Sequence, residues 1–449
     1  MDISVLKNKC ADSFRESFDA EGGGYGPAPR FLKPHNIIFL LRQAYITGDN
    51  ELRDQAAAVL RQMYRGGIFD HIGGGFFRFS YDIEWLRCSE EKTLFDNALM
   101  ALVYTEAWQN GHFALYRDIA ERTLDFCIRD LLCPGGAFCG GVKEDVCLTP
   151  EAVCSALGDT EGKHFSECYD ITAEGNSSGR SIPNLLLNDR WYMVPEGYTA
   201  HRKALYEARR KKQPLLRDTS GPVSWNGLML AALAAAGRCF KNQRYTDLAS
   251  NLCGWLETAE KITLDDCVFT ALGFLEMYSA DFDPRHVSAA VSLADEIISR
   301  FYDEKGGFYM TESEISGFGR RPKILQDGAM PSGNSAAVLL FERLYYLTGV
   351  EGWRGLCENE LEYIFSDEKT APHEAAFALC AEDGRTVIAV YEEEPPALLH
   401  AINEKYMPGT ELLLKSGIWA QALEEISPIA LKCRENGIYL FAEGKLNKL

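Results

Sequence analysis

Two kinds of helical segment alternate along the chain. The first is apolar around most of its circumference: PHNIIFLLRQAYI from residue 34, KTLFDNALMALVYTEAW from 92, SWNGLMLAALAAAG from 224, DCVFTALGFLEMY from 266, PSGNSAAVLLFERLYYL from 331 and a shorter PHEAAFALC from 372. A helix with no wet face must be covered on every side. The second kind carries charges at helical spacing: ELRDQAAAVLRQMYR from 51, LYRDIAERTLDFCIRDLL from 115, RYTDLASNLCGWLETA from 244, HVSAAVSLADEIISRFY from 286 and GWRGLCENELEYIF from 352. These predict one face in water. Each apolar helix but the last is followed, after a short loop, by an amphipathic one, so the chain reads as antiparallel pairs. DISVLKNKCADSFRESF at the N-terminus supplies the outer partner of the final apolar helix. An inner ring inside an outer ring satisfies both burial patterns. The predicted fold is therefore all-α, an (α/α)6 toroid. An open stack of repeats would need polar caps at both ends, whereas here the two ends of the chain complement each other.

Glycine-aromatic punctuation marks the longer connections: GGGYG (22–26), GGIF (66–69), GGGFF (73–77), GGAF (135–138) and GGFYM (306–310). Glycine allows left-handed turns there, and the alternation in FFRFSYDIEW suits a hairpin strand. If the inner helices are parallel, their N-termini and these loops share one end of the ring, which is where a pocket mouth is expected. The domain reading is a toroid over 1–384, interrupted by an insertion at 138–223, and a small α/β segment over 385–449. Within the insertion, the basic run 201–217 reads as a solvated helix face.

Lysine and arginine total 46 against 65 acidic residues, for a net charge of −19. That balance disfavours nucleic acid and anionic membrane surfaces as partners. The apolar runs fall short of a bilayer span, and the N-terminus lacks the order of a signal peptide, so a cytoplasmic location is expected. Fourteen cysteines show no C-x-x-C spacing and read as reduced thiols, several of them inside apolar helices. No phosphate-binding, zinc or nucleophile-elbow motif is present, so neither a cofactor nor a metal is expected.

Chemistry-bearing side chains collect at the expected mouth: Arg78, Asp82, Trp85, Glu90 and Glu91 before the second inner helix, Trp225 and Asn226 at the third, Asp265 and Asp266 at the fourth, Asp327, Ser332 and Asn334 at the fifth, and His373 and Glu374 at the sixth. Aromatic rings beside carboxylates and amides suit a polyhydroxylated ligand. The same residue types cap helix N-termini, a simpler role open to Asp266, Ser332 and Glu91. Sugar epimerisation needs a base that holds a proton near neutral pH, usually histidine. His35, His71, His164 and His373 lie in mouth-side segments.

GGIFDHIGGGFFRFSYDIEWLRCSEEKTLFDNA, together with FDAEGGGYGPAPRF, SWNGLMLAALAAAGR, DDCVFTALGFLEMY and QDGAMPSGNSAAV, resembles the YyaL-type, thioredoxin-domain-containing proteins related to the spermatogenesis-associated group. The resemblance implies a six-hairpin toroid similar to N-acylglucosamine 2-epimerases and six-hairpin glycosidases, normally preceded by a thioredoxin-like domain. That domain is not within these residues, and its redox role is not carried over. Phe77 stands where the family has a histidine in GGGFHRYS. Ser89 and Glu90 stand where it has His-Phe in HFEKMLYDNA, and CGGVKEDV replaces its acidic EDADSEG. Arg78, Glu91, Lys92, Asp96, Asn97, Trp225, Asn226, Asp266, Asp327, Ser332 and Asn334 match.

Two functional readings follow. In the first, the chain is a carbohydrate-binding toroid with sugar isomerase, epimerase or glycosidase-like chemistry. Glu91 and Asp266 are then the acid/base candidates, and Arg78 and Asn226 anchor ligand hydroxyls or a carboxylate. Trp85 and Trp225 are stacking surfaces, and Asp327, Ser332 and Asn334 complete the binding set. In the second, it is a non-catalytic scaffold that partners a separately encoded thioredoxin-like protein.

Overall fold

Several helices begin at a residue whose side chain accepts from the free amides of the first turn. The computed structural model describes residues 2–193, 198–314, 320–366, 370–381, 384–391 and 405–449. The outer helix α1 covers Ile3–Ser17, and α2, Pro34–Thr47, starts on proline and stops at Gly48, whose φ is 72°. Asp49 then caps α3, Asn50–Arg65, by accepting from the amides of Glu51 and Leu52. Thr93 caps α4, Leu94–Gly111, which is followed by α5, Ala114–Phe126. Three helices of the insertion come next: α6, Pro150–Leu157, α7, Asp159–Cys168, and α8, Tyr198–Lys212. The ring resumes with α9, Val223–Phe240, α10, Gln243–Thr258, α11, Leu264–Asp281, α12, Pro284–Phe301, α13, Gly333–Thr348, and α14, Glu351–Phe365.

The inner ring consists of α2, α4, α9, α11 and α13, whose residues are buried around nearly the whole circumference. Helices α9 and α11 approach closely: a Cβ on Gly227 would lie 2.6 Å from the Phe269 backbone, and one on Gly273 would lie 2.7 Å from the Gly227 oxygen. Outside them, α1, α3, α5, α10, α12 and α14 each bury one face. The fold is an (α/α)6 toroid.

The sixth inner position departs from expectation. PHEAAFALC does not form an α-helix but two short 3-10 segments, Pro372–Ala375 and Ala378–Cys380. They still close the ring, because α2 and α13 both pack on the second and α1 packs on the first. The chain turns away at once into the strand Arg385–Tyr391, which leaves no length for further helical turns.

That strand belongs to a four-stranded C-terminal sheet in the order Lys445–Lys448, Gly437–Ala442, Arg385–Tyr391, Thr410–Ser416, with the last pair parallel. The sheet is pinned to the ring: Ser427 Oγ donates to the Leu347 carbonyl at 2.7 Å, and Tyr278 Oη accepts from the Leu414 amide at 3.3 Å. Residues 392–404 of this segment and 194–197 of the insertion lie outside the described residues.

The basic run 201–217 is not simply a solvated face. Arg209 is buried and pairs with Asp70 at 2.7 Å, and Arg210 pairs with Glu144. With the fully buried Lys92, 2.6 Å from both Asp70 and Glu144, they form an ionic cluster between the insertion and the ring. Burial alone would raise the Asp70 carboxyl, but Arg209 and Lys92 outweigh it and hold it well below its ordinary value.

Candidate functional site

Three of the glycine-aromatic loops have the same build. Residues Phe69 and Phe76, Leu132 and Phe138, and Tyr302 and Phe308 pair across three small hairpins. In each, the residue after the first partner donates its amide across the hairpin: Asp70 to Gly75 at 2.9 Å, Cys133 to Ala137 at 2.8 Å, and Asp303 to Gly307 at 3.1 Å. Each phenylalanine is then gripped from the first turn of the next inner helix. Asn97 Oδ1 accepts from the Phe76 amide at 2.7 Å, Asn226 from Phe138 at 2.8 Å and Asn334 from Phe308 at 2.8 Å. Each asparagine Nδ2 donates back to the same phenylalanine's carbonyl, at 3.0, 3.0 and 3.1 Å.

Asn226 and Asn334 are therefore fully occupied in holding loops. Alanine at Asn226 should cost about 2 kcal/mol, since it strands a buried amide and a buried carbonyl. Urea denaturation would measure it, and a loss below about 0.5 kcal/mol, the scale of a neutral surface change, would contradict the clamp.

The other mouth residues are similarly engaged. Trp85 is 2% exposed and donates its indole N–H to the Gly23 carbonyl at 3.0 Å, so it offers no face to a ligand. Asp266 accepts from Ser224 through Oδ1 at 3.0 Å and from Ile262 and Thr263 through Oδ2 at 3.2 and 3.1 Å, in a capping box. Asp327 takes the amides of Ser332 and Phe377 at 2.9 and 3.0 Å, and burial pushes its carboxyl up to about 6. Ser332 caps α13. Trp225 is half-buried against Phe95, with ring centres 4.9 Å apart. Of the mouth residues named above, Arg78 and Glu91 pair with both side chains more than a third exposed, Arg78 Nη1 donating to Glu91 Oε2 at 3.0 Å. The mouth positions thus share one end of the ring, but most of their polar atoms are spent on loop architecture. His35 and His71 are sealed, and burial pushes both imidazoles down to about 3.

A cavity of about 220 Å³ opens elsewhere, along the axis and toward the C-terminal ends of the inner helices. Stripes at helical spacing build it: Leu99, Leu102 and Glu106 on α4, Leu228, Ala231, Ala235 and Arg238 on α9, Phe269, Leu272 and Glu276 on α11, and Leu339, Glu342, Arg343 and Tyr346 on α13. Ile38 and Arg42 of α2 complete the ring, and Phe377, Cys380 and Gly384 line the side where the sixth inner position stops short. Lys405–Leu412 of the C-terminal segment forms the remaining wall.

The floor is apolar and the upper wall is charged. Arg42 grips Glu106 through two nitrogens, at 2.6 and 3.2 Å, and Tyr406 Oη donates to the same carboxylate at 3.3 Å. Arg343 grips Glu411 the same way, at 2.6 and 3.3 Å, and reaches Glu276 at 2.7 Å, with Arg238 3.6 Å from Glu276. Burial would raise Glu276, yet Arg343 and Arg238 hold it below its ordinary value. Sequence reasoning missed this set. The available signal was a single charge island, Arg42, Glu106, Arg238, Glu276 or Glu342–Arg343, in the later part of each otherwise apolar helix.

The chain matches no known family profile. It is 27% identical to human spermatogenesis-associated protein 20 over 92% of its own length, and equally to the mouse protein. The chain is similar in sequence to spermatogenesis-associated protein 20. It spans 63% of the length of those curated relatives. Among solved structures it is similar to cellobiose 2-epimerase from Bacillus thermoamylovorans, with a TM-score of 0.56 at 11% identity, covering 84% of this chain and 97% of that one. It is also similar to a D-mannose isomerase, with a TM-score of 0.53 at 15% identity, covering 80% and 84%. At such identities the likeness is one of fold. No helix of the described residues is long and apolar enough to cross a membrane.

Proposed function

We propose that the chain binds a neutral carbohydrate of about monosaccharide size in the axial cavity. The observation that carries this reading is the ring of Arg–Glu pairs set above an apolar floor on the toroid axis. Carboxylates accept from vicinal hydroxyls, guanidinium groups donate to ring and hydroxyl oxygens, and the Leu99, Leu228 and Phe269 floor receives C–H faces. At about 220 Å³ the space is below the roughly 300–1,000 Å³ typical of drug-sized ligands, which favours one sugar ring over an oligosaccharide. Arg42, Arg238, Arg343 and Lys405 are balanced by Glu106, Glu276, Glu342 and Glu411, so a sugar phosphate gains no net attraction. The solved proteins of similar fold named as a sugar epimerase and a sugar isomerase support the substrate class.

Catalysis has weaker support. No imidazole lines the cavity among the described residues, and Glu106, Glu276 and Glu411 are ion-paired. Glu276, held below its ordinary value by Arg343 and Arg238, is a poor acid near neutral pH. Of the mouth candidates, Asp266 holds three amides and Glu91 is bridged to Arg78. These observations favour a binding protein, and they keep the scaffold reading, with a thioredoxin-like partner, as the second one.

Melting shifts with a panel of mono- and disaccharides test the first reading. At least one monosaccharide should raise the melting temperature, and Glu106→Gln should weaken its binding about tenfold, the worth of one charged hydrogen bond. Glu91→Gln should leave binding unchanged. A folded sample that responds to none of the sugars, or a Glu106→Gln variant that binds equally well, would reject the cavity as the site. Retention of a thioredoxin-like protein in a pull-down, unaltered by Glu106→Gln, would favour the scaffold.

A further inference from the structure

The three equivalent hairpins share a further position pair that none of the sugar-binding argument uses. The residue after the first partner and the residue after the second lie across the hairpin mouth: Asp303 and Tyr309 in one loop, Cys133 and Cys139 in another. The backbone frame is the same, since Tyr309 donates its amide to Phe301 and Cys139 to Leu131, both at 2.8 Å. In the first loop the two side chains bond directly, Tyr309 Oη donating to Asp303 Oδ2 at 2.5 Å. In the second, the sulfurs are 2.6 Å apart.

We propose that Cys133 and Cys139 are a redox modification site, a dithiol that a peroxide converts to an intraloop disulfide and a small dithiol restores. The Asp303–Tyr309 loop uses this position pair for a cross-hairpin link, and in the Cys133–Cys139 loop the two groups that meet there can become covalent. The two sulfurs already face each other in direct contact across the hairpin, which is the placement a covalent bond between them needs. Cys133 is partly exposed at the loop edge while Cys139 is buried behind it, which assigns their order. Burial and the neighbouring Cys133 both raise the Cys139 thiol above its ordinary value, in keeping with that order. The Cys133 thiolate attacks a peroxide oxygen and the O–O bond breaks, giving a sulfenic acid and, after protonation, water. Cys139 Sγ then attacks Cys133 Sγ; the S–O bond breaks, and hydroxide leaves with the Cys139 proton as a second water. Two thiols and one hydrogen peroxide thus yield one disulfide and two waters.

The sequence provides a clean readout. Trypsin cuts after Arg129 and Lys143, and the peptide between holds Cys133 and Cys139 and no other cysteine. After hydrogen peroxide and then iodoacetamide on the folded chain, that peptide should carry no alkyl group and be two hydrogens lighter than the dithiol. Dithiothreitol before alkylation should restore two alkyl groups. Pairing should be several-fold slower when the chain is oxidised in urea, and Cys133→Ser, with an unchanged melting temperature, should leave no intraloop link. Two alkyl groups on the peroxide-treated peptide, pairing as fast in urea, or Cys139 joined to a different cysteine would each overturn the proposal.

Discussion

Replacing Lys92 with methionine is expected to destabilise the chain by about 3–5 kcal/mol, the cost of removing one partner from a buried ionic cluster. Lys92 is completely shielded, with its ammonium 2.6 Å from Asp70, 2.6 Å from Glu144 and 3.0 Å from the Gly74 carbonyl. Methionine preserves the length of the side chain under the Phe77 and Phe126 rings, which lie 4.7 and 4.6 Å from the nitrogen. The change is therefore electrostatic more than steric. Arg209 and Arg210 still face the two carboxylates, but the Gly74 carbonyl loses its donor. Guanidinium denaturation measures the effect. A loss under about 1 kcal/mol would mean that the two arginines neutralise the cluster unaided.

The second large effect depends on pH and concerns Glu360 on α14. Its side chain is buried, its Oε1 has no hydrogen-bond partner among the described residues, and burial pushes its carboxyl up to about 8, Lys323 only partly opposing. The unfolded chain ionises this group near its ordinary value of 4.5, so between there and about 8 the folded chain binds the additional proton. Stability then falls as pH rises through that window, by up to about 1.4 kcal/mol per pH unit. Glu360→Gln should leave the melting temperature unchanged at pH 4 and raise it at pH 8. Asp96, which burial likewise pushes up to about 8, retains part of the slope in that variant. Melting curves of the two proteins that stay parallel from pH 5 to pH 8 would refute this assignment.

What could be read in the sequence was the order of covered and half-covered helices, because burial pattern follows residue type locally. The toroid and the gathering of glycine-aromatic loops at one end both come from that pattern. The role of the candidate binding residues was not legible, since Asn226, Asn334 and Asp266 are the types that hold a sugar hydroxyl and equally the types that hold a backbone amide. Which partner they take depends on loops far away in the chain: Phe138 is 88 positions from Asn226. Averaging over each inner helix also concealed Arg42, Glu106 and Glu276, whose lone charges disappear among apolar neighbours. Glu411, which completes the Arg343 grip, had no local signal because its pairing spans 68 positions.

The curtailed sixth rod makes the barrel a vessel with one side left for another part of the chain to build. Five staves and the floor are set by the helices, while Lys405–Leu412 supplies the missing panel. If the cavity binds a sugar as proposed, changes in this panel would alter its lining while most of the ring helices keep their own packing. A chimaera that exchanges Lys405–Pro408 between related chains, with Glu411 and the strand from Thr410 retained, would test whether this panel alters what the proposed site binds.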